Sequence, residues 1–355
     1  MKTKGPTLFE YFPDLRETIP WVDLETTEAP VHRLAHLGHD NLWIKRNDRI
    51  SSVYGGNKVQ RLEFVLGDAL KRGKKKVVTL GGIGSNHCLA TAIFCRRLGL
   101  SCALSLFAQP LTRLVQDNLL LLYRNNAELT FFKNIPMAAV DYYLIKKWTC
   151  PGGYFIPSGG SSLLGILGAV SAALELNDQI HRGLMPTPRF IFYPTASNGG
   201  LAGLSLGLLL AGLETTVIGV RTGASHLFGM ALNTPGTVEK AMKRTHAFLK
   251  SRSRQIPDIR IPTPVVLDDY CGDGYGFPTP AGSRAMKLFW GKEAIQLEPV
   301  YTAKACAALL DFVRARPASA ETVLYWHTFN SVDLSGEAAS MDFLDLPTVF
   351  HPFFS

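Results

Sequence analysis

The feature that most restricts the fold is a steady alternation, from Lys58 onward, of short apolar strand-like runs with stretches of helical periodicity. Such pacing needs parallel sheets covered by helices, so it predicts an α/β architecture. A helix to about Arg72 leads to a strand at Lys76 to Leu80, then a Gly-rich turn and a helix through Arg97. A strand at Cys102 to Phe107, a helix around Leu111 to Tyr123 and a strand at Glu128 to Phe132 complete one small layer. After Tyr154 to Pro157 and the turn Ser158-Gly159-Gly160-Ser161-Ser162, a helix from about Gly165 to Leu176 and the strand Phe190 to Tyr193 begin a second layer. Its further predicted helices are Leu201 to Leu213, Thr237 to Lys250, Ala281 to Trp290 and Ala303 to Ala315; its later strands are Val217 to Val220 and Thr322 to Trp326. Residues 1–53 read as an arm followed by a strand pair, Val31 to Leu34 and Leu42 to Arg46. The three prolines within Arg252 to Pro264 mark a surface connection.

At the head of this alternation, Tyr54-Gly55-Gly56-Asn57-Lys58 delivers a lysine to the mouth of a helix whose apolar positions are Val59, Leu62, Leu66 and Leu70. A helix N-terminus disfavours an ammonium group and lowers its pKa, which suits an amine acting as a nucleophile toward a carbonyl. That is the requirement for a Schiff-base lysine. Taken alone, the segment fits a surface lysine after a glycine turn better than a Schiff-base lysine.

Four further motifs, one of them split over two stretches, carry candidate chemistry. Gly81-Gly82-Ile83-Gly84-Ser85-Asn86-His87 lies between a strand and a helix, where backbone amides, the Ser85 hydroxyl and the Asn86 amide would bind a carboxylate or a phenolic oxygen. Thr195-Ala196-Ser197-Asn198-Gly199-Gly200 follows a strand and precedes an apolar helix, a place where converging amides meet a phosphate dianion. Tyr275 and Tyr301, in Tyr275-Gly276-Phe277-Pro278 and Glu298-Pro299-Val300-Tyr301-Thr302-Ala303-Lys304, would as isolated tyrosines more often be core or turn residues. His327-Thr328-Phe329-Asn330 follows the last strand. Gly203-Leu204-Ser205-Leu206-Gly207 matches the nucleophile elbow of serine hydrolases, but Ser205 falls inside an apolar helical run rather than at a strand end, so no hydrolase is expected.

The lysine segment, with Leu-Glu four residues on, closely resembles the Schiff-base segment of the pyridoxal-phosphate (PLP) enzyme family that holds D-cysteine desulfhydrase and 1-aminocyclopropane-1-carboxylate (ACC) deaminase. The other four motifs resemble that family's Gly-Gly-x-Gln-Ser-Asn, phosphate-loop, Tyr-Gly-x-Pro with Pro-Val-Tyr-x-x-Lys, and His-Thr-Gly-Gly segments. The resemblance implies that Lys58 holds PLP, with Lys58, Ser85, Tyr275 and Tyr301 catalytic. It places Asn57, Asn86, Thr195, Ala196, Ser197, Asn198, Gly199, Gly200 and Thr328 on the cofactor, Asn86 on its ring oxygen and Thr328 on its pyridine nitrogen. Ser85, Asn86, His87, Gly160, Tyr275 and Tyr301 would meet the substrate, Ser85 and His87 at its carboxylate. The chain departs from the family pattern at Gly84, where glutamine is common, and in the phosphate loop at Thr195, Ala196, Asn198 and Gly200. Phe329 and Asn330, in place of two glycines, add bulk beside the ring.

ACC deaminases carry glutamate after the Pro-Val-Tyr tyrosine and leucine after the last motif's histidine, whereas desulfhydrases carry threonine at both. Thr302 and Thr328 therefore imply a D-cysteine desulfhydrase-like α,β-elimination giving pyruvate, ammonia and sulfide. ACC deamination, with Tyr301 attacking a ring methylene, is the alternative; binding of PLP or an amino acid without turnover is a reading of another class. The family implies a type II PLP fold, two open parallel-sheet α/β domains with the cofactor between them. The larger would comprise residues 1–60 and 165–355 and the smaller 61–164, usually in a homodimer. The tail from Ser331 to Ser355 has no counterpart, and its aromatics could dock on the body or on a partner subunit.

Composition narrows the remaining classes. With 355 residues and 46% hydrophobic content, the chain can bury two cores and reads as a soluble protein. The longest apolar run, Leu201 to Leu213, is too short to span a bilayer, and Glu10, Asp14 and Glu17 interrupt any signal-peptide core, so neither a membrane nor export is expected. Six cysteines without a Cys-x-x-Cys pair argue against zinc and disulfides and suit the cytoplasm. The +8 charge includes the cluster Lys71, Arg72, Lys74, Lys75 and Lys76, but it sits at a helix end without interleaved aromatics, so no nucleic acid is expected. His32, His36 and His39 would share a helical face, but Pro30, Gly38 and Asp40-Asn41 make the segment a strand running into a loop, and no metal is expected.

Overall fold

The protein is described by a computed structural model, which covers residues 5–227, 229–316 and 319–354. Its strands are β1 (Val31–Arg33), β2 (Leu42–Arg46), β3 (Lys76–Gly82), β4 (Ser101–Phe107), β5 (Ala127–Phe132) and β6 (Tyr154–Phe155), then β7 (Phe190–Thr195), β8 (Thr216–Arg221), β9 (His226–Leu227), β10 (Met230–Ala231), β11 (Val265–Leu267) and β12 (Val323–His327). They form a six-stranded sheet ordered β1-β2-β12-β7-β8-β11, a four-stranded sheet ordered β5-β4-β3-β6, and a β9-β10 ribbon. All pairings within the four-stranded sheet are parallel. The larger sheet is parallel apart from the antiparallel β1-β2 edge. The α/β class with two parallel sheets is therefore the observed one.

Strands covered by helices on both faces read as continuous apolar runs, which is why Ile191-Phe192-Tyr193 and Leu324-Tyr325-Trp326 were legible and why all six are buried. One face of the larger sheet packs on the helices Leu163–His181, Asn198–Leu210 and Pro235–Lys250, and the other on Pro280–Glu293 and Thr302–Arg314. Leu163–His181 has the length and hydropathy of a membrane span, but 67% of its apolar window is buried, as befits a core helix. His32 pairs in β1 with Ile44 of β2, so the three histidines share no helical face.

Three features escaped sequence reading. The edge strand β11 is only three residues long and follows the proline-rich connection. A helical stretch, Ile135–Val140 continued by a π-turn Asp141–Ile145 and Lys146–Thr149, is out of phase with a simple helical repeat because a π-turn inserts a residue. The helix after β7 begins at Asn198 rather than Leu201, so Gly199 and Gly200 belong to its first turn.

The tail docks on the body. It leaves β12 of the larger sheet and packs on the smaller one, where the Phe350 and Phe353 rings lie 5.8 and 5.2 Å from Phe131 of β5. Nε2 of Gln116 donates to the Phe353 carbonyl at 2.7 Å, and Phe350 is fully buried.

Candidate active site

A cavity of about 320 Å³ opens at the carboxyl ends of β3, β4, β7, β8 and β12 and is lined from both sheets. In open parallel sheets this is where ligands are bound. Lys58 enters it from the first turn of the Asn57–Lys71 helix. The preceding turn is threaded so tightly that a Cβ on Gly55 would stand 1.9 Å from the Asp48 carbonyl, and one on Gly56, which has φ +87°, 2.6 Å from the Thr328 carbonyl. Only glycine passes there. The Asn330 carboxamide, part of the cavity lining, accepts from the Gly55 amide at 2.6 Å and from the Val332 amide at 3.0 Å, tying this turn to the tail.

Burial, and after it the Arg61 guanidinium, pushes the Lys58 pKa well below its ordinary value. The direction is the one expected from sequence, but the cause is enclosure rather than the helix end. Arg61 lies one turn along the same helix face and is 2% exposed. Its Nη1 donates to the Gly159 carbonyl at 2.7 Å and its Nη2 to the Tyr193 hydroxyl at 3.3 Å, while the buried Nε has no partner among the described residues. Asn57 Nδ2 also donates to the Tyr193 hydroxyl, at 2.6 Å.

Beside this cluster, the helix beginning at Asn198 presents first-turn amides that have no intrahelical acceptor. A Cβ on Gly199 would stand 2.9 Å from Ser161 Oγ, itself buried and without a partner among the described residues. These amides and the Arg61 guanidinium are donors suited to a dianion, with the Ser161 hydroxyl packed behind the cavity lining. Of the loop expected to bind that dianion, Ala196 and Ser197 line the cavity. Thr195 does not: it is buried with its hydroxyl turned to Asn233 and the Ser197 carbonyl, and Asn233 Nδ2 grips the Thr195 carbonyl at 2.9 Å. The Asn198 side chain accepts from Thr237 at 3.4 Å, while Gly199 and Gly200 sit behind the lining.

At the end of β3, Ser85 caps the Asn86–Arg97 helix by accepting from the Cys88 amide at 3.3 Å. Asn118 donates to Asn86 Oδ1 at 3.1 Å, leaving the Asn86 amide hydrogens for a ligand. The Thr79 hydroxyl donates to the Ile156 carbonyl at 2.8 Å, so His87 Nε2, 3.0 Å from the same hydroxyl, must be its donor. His87 Nδ1 is then a bare acceptor. Burial, with Lys58 and Arg61 nearby, lowers this imidazole to about 3, so it is neutral. Gly160 packs under His87, where a Cβ would lie 3.5 Å from Cε1, and is not part of the cavity lining.

Tyr301 donates to the Tyr275 hydroxyl at 3.0 Å. Burial raises Tyr275 to about 12 and holds Tyr301 well above its ordinary value, Tyr275 adding to the latter. Lys304 clamps the Tyr275 loop by donating to the carbonyls of Cys271 and Gly274 at 2.7 and 2.9 Å. Glu298, buried at the cavity wall, accepts from the amides of Val300, Tyr301 and Thr302 and so fixes the Tyr301 turn. Thr302 is fully buried and spends its hydroxyl on Glu298, whereas Thr328 faces the cavity.

The cavity thus brings together Lys58, Asn57, Ser85, Asn86, His87, Ala196, Ser197, Tyr275, Tyr301 and Thr328. Sequence reasoning missed Arg61, Tyr193, Ser161 and the cavity face of the 135–149 stretch. Arg61 had a usable signal, since three residues from Lys58 is one helical turn.

The family described as "Pyridoxal-phosphate dependent enzyme" matches residues 22–328. The chain is 32% identical, over 86% of its length and 95% of the relative's, to a putative 1-aminocyclopropane-1-carboxylate deaminase of Thermotoga maritima. It is likewise 32% identical, over 91% of both chains, to D-cysteine desulfhydrase of Klebsiella pneumoniae. A crystal structure of an ACC deaminase homologue superimposes with a TM-score of 0.75 at 27% identity, covering 95% of this chain and 99% of that one. A tomato threonine deaminase, at 17% identity and TM-score 0.60, shares the fold. A partnerless buried guanidinium nitrogen over a glycine cradle, next to an amine of lowered pKa, fits a phosphorylated aldehyde such as PLP. On the family match and the relatives together, the chain belongs to the pyridoxal-phosphate dependent enzymes.

Proposed function

We propose that the chain is a lyase that eliminates the β-substituent of a small amino acid, most simply sulfide from D-cysteine, with release of pyruvate and ammonia. One observation carries this reading: an amine whose charged form burial disfavours and a phenol pair that burial keeps protonated face a single cavity. Titratable groups pushed apart in this way divide into base and acid. The cofactor would sit with its phosphate on the Arg61 guanidinium and the first-turn amides, its ring oxygen toward Asn86 and its pyridine nitrogen toward Thr328. PLP bound there supplies the electron sink for the breaking Cα–H bond. Lys58 takes the Cα proton, and Tyr275, accepting from Tyr301, has its own proton free for the departing sulfur. The Ser85 hydroxyl and nearby helix amides bind the substrate carboxylate; His87 Nδ1, a bare acceptor, suits the substrate's amino group better than its carboxylate.

In this reading residues 1–60 with 165–355 and residues 61–164 are the two units that flank the reaction. The free cysteines, five of them buried, support a reducing compartment such as the cytoplasm. Val140, Leu144 and Trp148, exposed along one side of the 135–149 stretch, support a second copy as partner.

The test is release of 2-oxo acid and sulfide by the PLP-loaded protein from D-cysteine, L-cysteine, D-serine and ACC, with Lys58→Ala as control. Pyruvate and sulfide from D-cysteine alone support the reading. Formation of 2-oxobutyrate from ACC favours the deaminase alternative, and PLP uptake without any turnover favours a binding protein.

A further inference from the structure

A second cavity, of about 470 Å³, lies on the far side of the helix that carries Lys58 and shares no lining residue with the first. Gln60 and Glu63 line it from that helix. They follow Lys58 by two and five residues, about 200° and 140° around the axis, and so turn away from the active lysine. Ser171, Glu175 and Asp178 of Leu163–His181 line it too, with Glu10 of the N-terminal arm, and Trp21 and Phe64 add aromatic surface.

Charge in this cavity is out of balance. Glu28 is paired with Arg182, and Glu175 with Lys45 at 2.7 Å, whereas Glu10, Glu63 and Asp178 take part in no ion pair among the described residues. Glu63 is 3% exposed and accepts from the Thr26 hydroxyl at 2.7 Å; burial without a cation against it keeps its carboxyl protonated up to about 8. A second group is also left open. Gln60 is 8% exposed and spends Oε1 on Asn47 Nδ2 at 2.8 Å, while its Nε2 has no partner among the described residues. A primary amide so deeply buried calls for an acceptor that the chain does not supply.

The two groups define the ligand. It must bring positive charge to a carboxyl and an oxygen to an amide donor. A bare metal ion is a poor match, because among the described residues no group of three or more His, Cys, Asp or Glu side chains converges to hold one. We infer that this cavity binds a protonated amine that also carries a hydroxyl and an apolar group. The ammonium donates to Glu63 within the field of Glu10 and Asp178, the hydroxyl oxygen accepts from Gln60 Nε2, and the apolar group covers Trp21 and Phe64. A cation against Glu63 favours its charged form, so binding expels the Glu63 proton. The other charged or titratable groups around Glu63 are Glu10, Asp23 and Glu28 on the N-terminal segments, and Glu175, Asp178, His181 and Arg182 on and just after the facing helix.

The experiment is titration calorimetry of the PLP-loaded full chain at pH 7 with N,N-dimethylphenylalaninol, a tertiary amine that cannot form an imine with the cofactor aldehyde. N-acetylphenylalaninol, which lacks the charge, is expected to bind at least about tenfold more weakly, the scale of a hydrogen bond to a charged group. Glu63→Gln should weaken the tertiary amine by a similar factor and Glu10→Gln by a smaller one. Heats in two buffers of different ionisation enthalpy should show a proton released by the parent and not by Glu63→Gln. Glu10 is exposed, so its variant tests the site independently of any folding defect in Glu63→Gln. Absence of binding, equal binding of the acetylated compound, binding undiminished in both variants, or parent heats independent of buffer overturns the inference. A shift in the cofactor absorbance on binding would put the amine in the other cavity and overturns it as well.

Discussion

Nη2 of Arg61 lies so close over Gly200 that a Cβ added there would stand 2.2 Å from it and 2.1 Å from the Tyr193 hydroxyl. Two helices far apart in sequence therefore meet at one guanidinium, beside the amides that open the second helix. Gly200→Ala must push Arg61 and Tyr193 away, and Arg61→Met removes a charge-assisted donor worth about 1.5–3 kcal/mol. Both variants are expected to weaken PLP at least about tenfold in an absorbance titration, with Arg61→Lys recovering part of the loss. Unchanged affinity in Arg61→Met would remove the guanidinium from the phosphate site.

The phenol pair makes a separate claim. Burial raises the Tyr275 phenol to about 12, so in the proposed elimination it is the proton donor and not the base. Tyr275→Phe is expected to lower kcat by about a hundredfold or more, in the range of lost general acid catalysis, with PLP affinity retained. Tyr301→Phe removes the donor to Tyr275 at 3.0 Å and should cost less. A Tyr275→Phe enzyme at full kcat would assign proton delivery elsewhere.

Glu63 gives the fold a pH signature. Burial raises its carboxyl from 4.5 to about 8, although Thr26 donates to it at 2.7 Å. The folded chain thus keeps a proton that the unfolded chain loses above 4.5, so stability is fully present below that pH and is lost as pH rises toward about 8. The loss runs up to about 1.4 kcal/mol per pH unit. Glu63→Gln keeps the acceptor without the titration, so its Tm relative to the parent should rise between pH 5 and pH 8. A constant difference across that range would contradict the assignment.

Phe350 tests the tail. Fully buried against the smaller sheet, it should cost about 3–5 kcal/mol when changed to Ala, seen as a lower midpoint in urea. A midpoint shift below about 1 kcal/mol would mean that the tail does not hold the body together.

Most of the layer order was legible because buried parallel strands and glycine-rich strand-to-helix turns are local patterns. Lys58, Ser85 and Asn86 drew notice for the same reason, each sitting at the end of such a pattern, whereas Thr328 entered only through the resemblance of its segment to the family's. Arg61, Tyr193 and Ser161 were not, because what matters is their convergence across two helices and a turn remote in sequence. Thr195 misled in the opposite direction: its place in a loop motif says nothing of Asn233, which turns its hydroxyl away. The 135–149 stretch was hidden by its π-turn, and Thr302, informative as a sequence marker, proved to be a buried partner of Glu298.

The central claim is that Lys58 is the amine that holds the cofactor. Borohydride reduction of the PLP-loaded protein followed by peptide mass mapping tests it most directly. The account predicts one pyridoxyl group, on the peptide bearing Lys58, and none in Lys58→Ala. A label on another lysine, or the same labelling in Lys58→Ala, would contradict it.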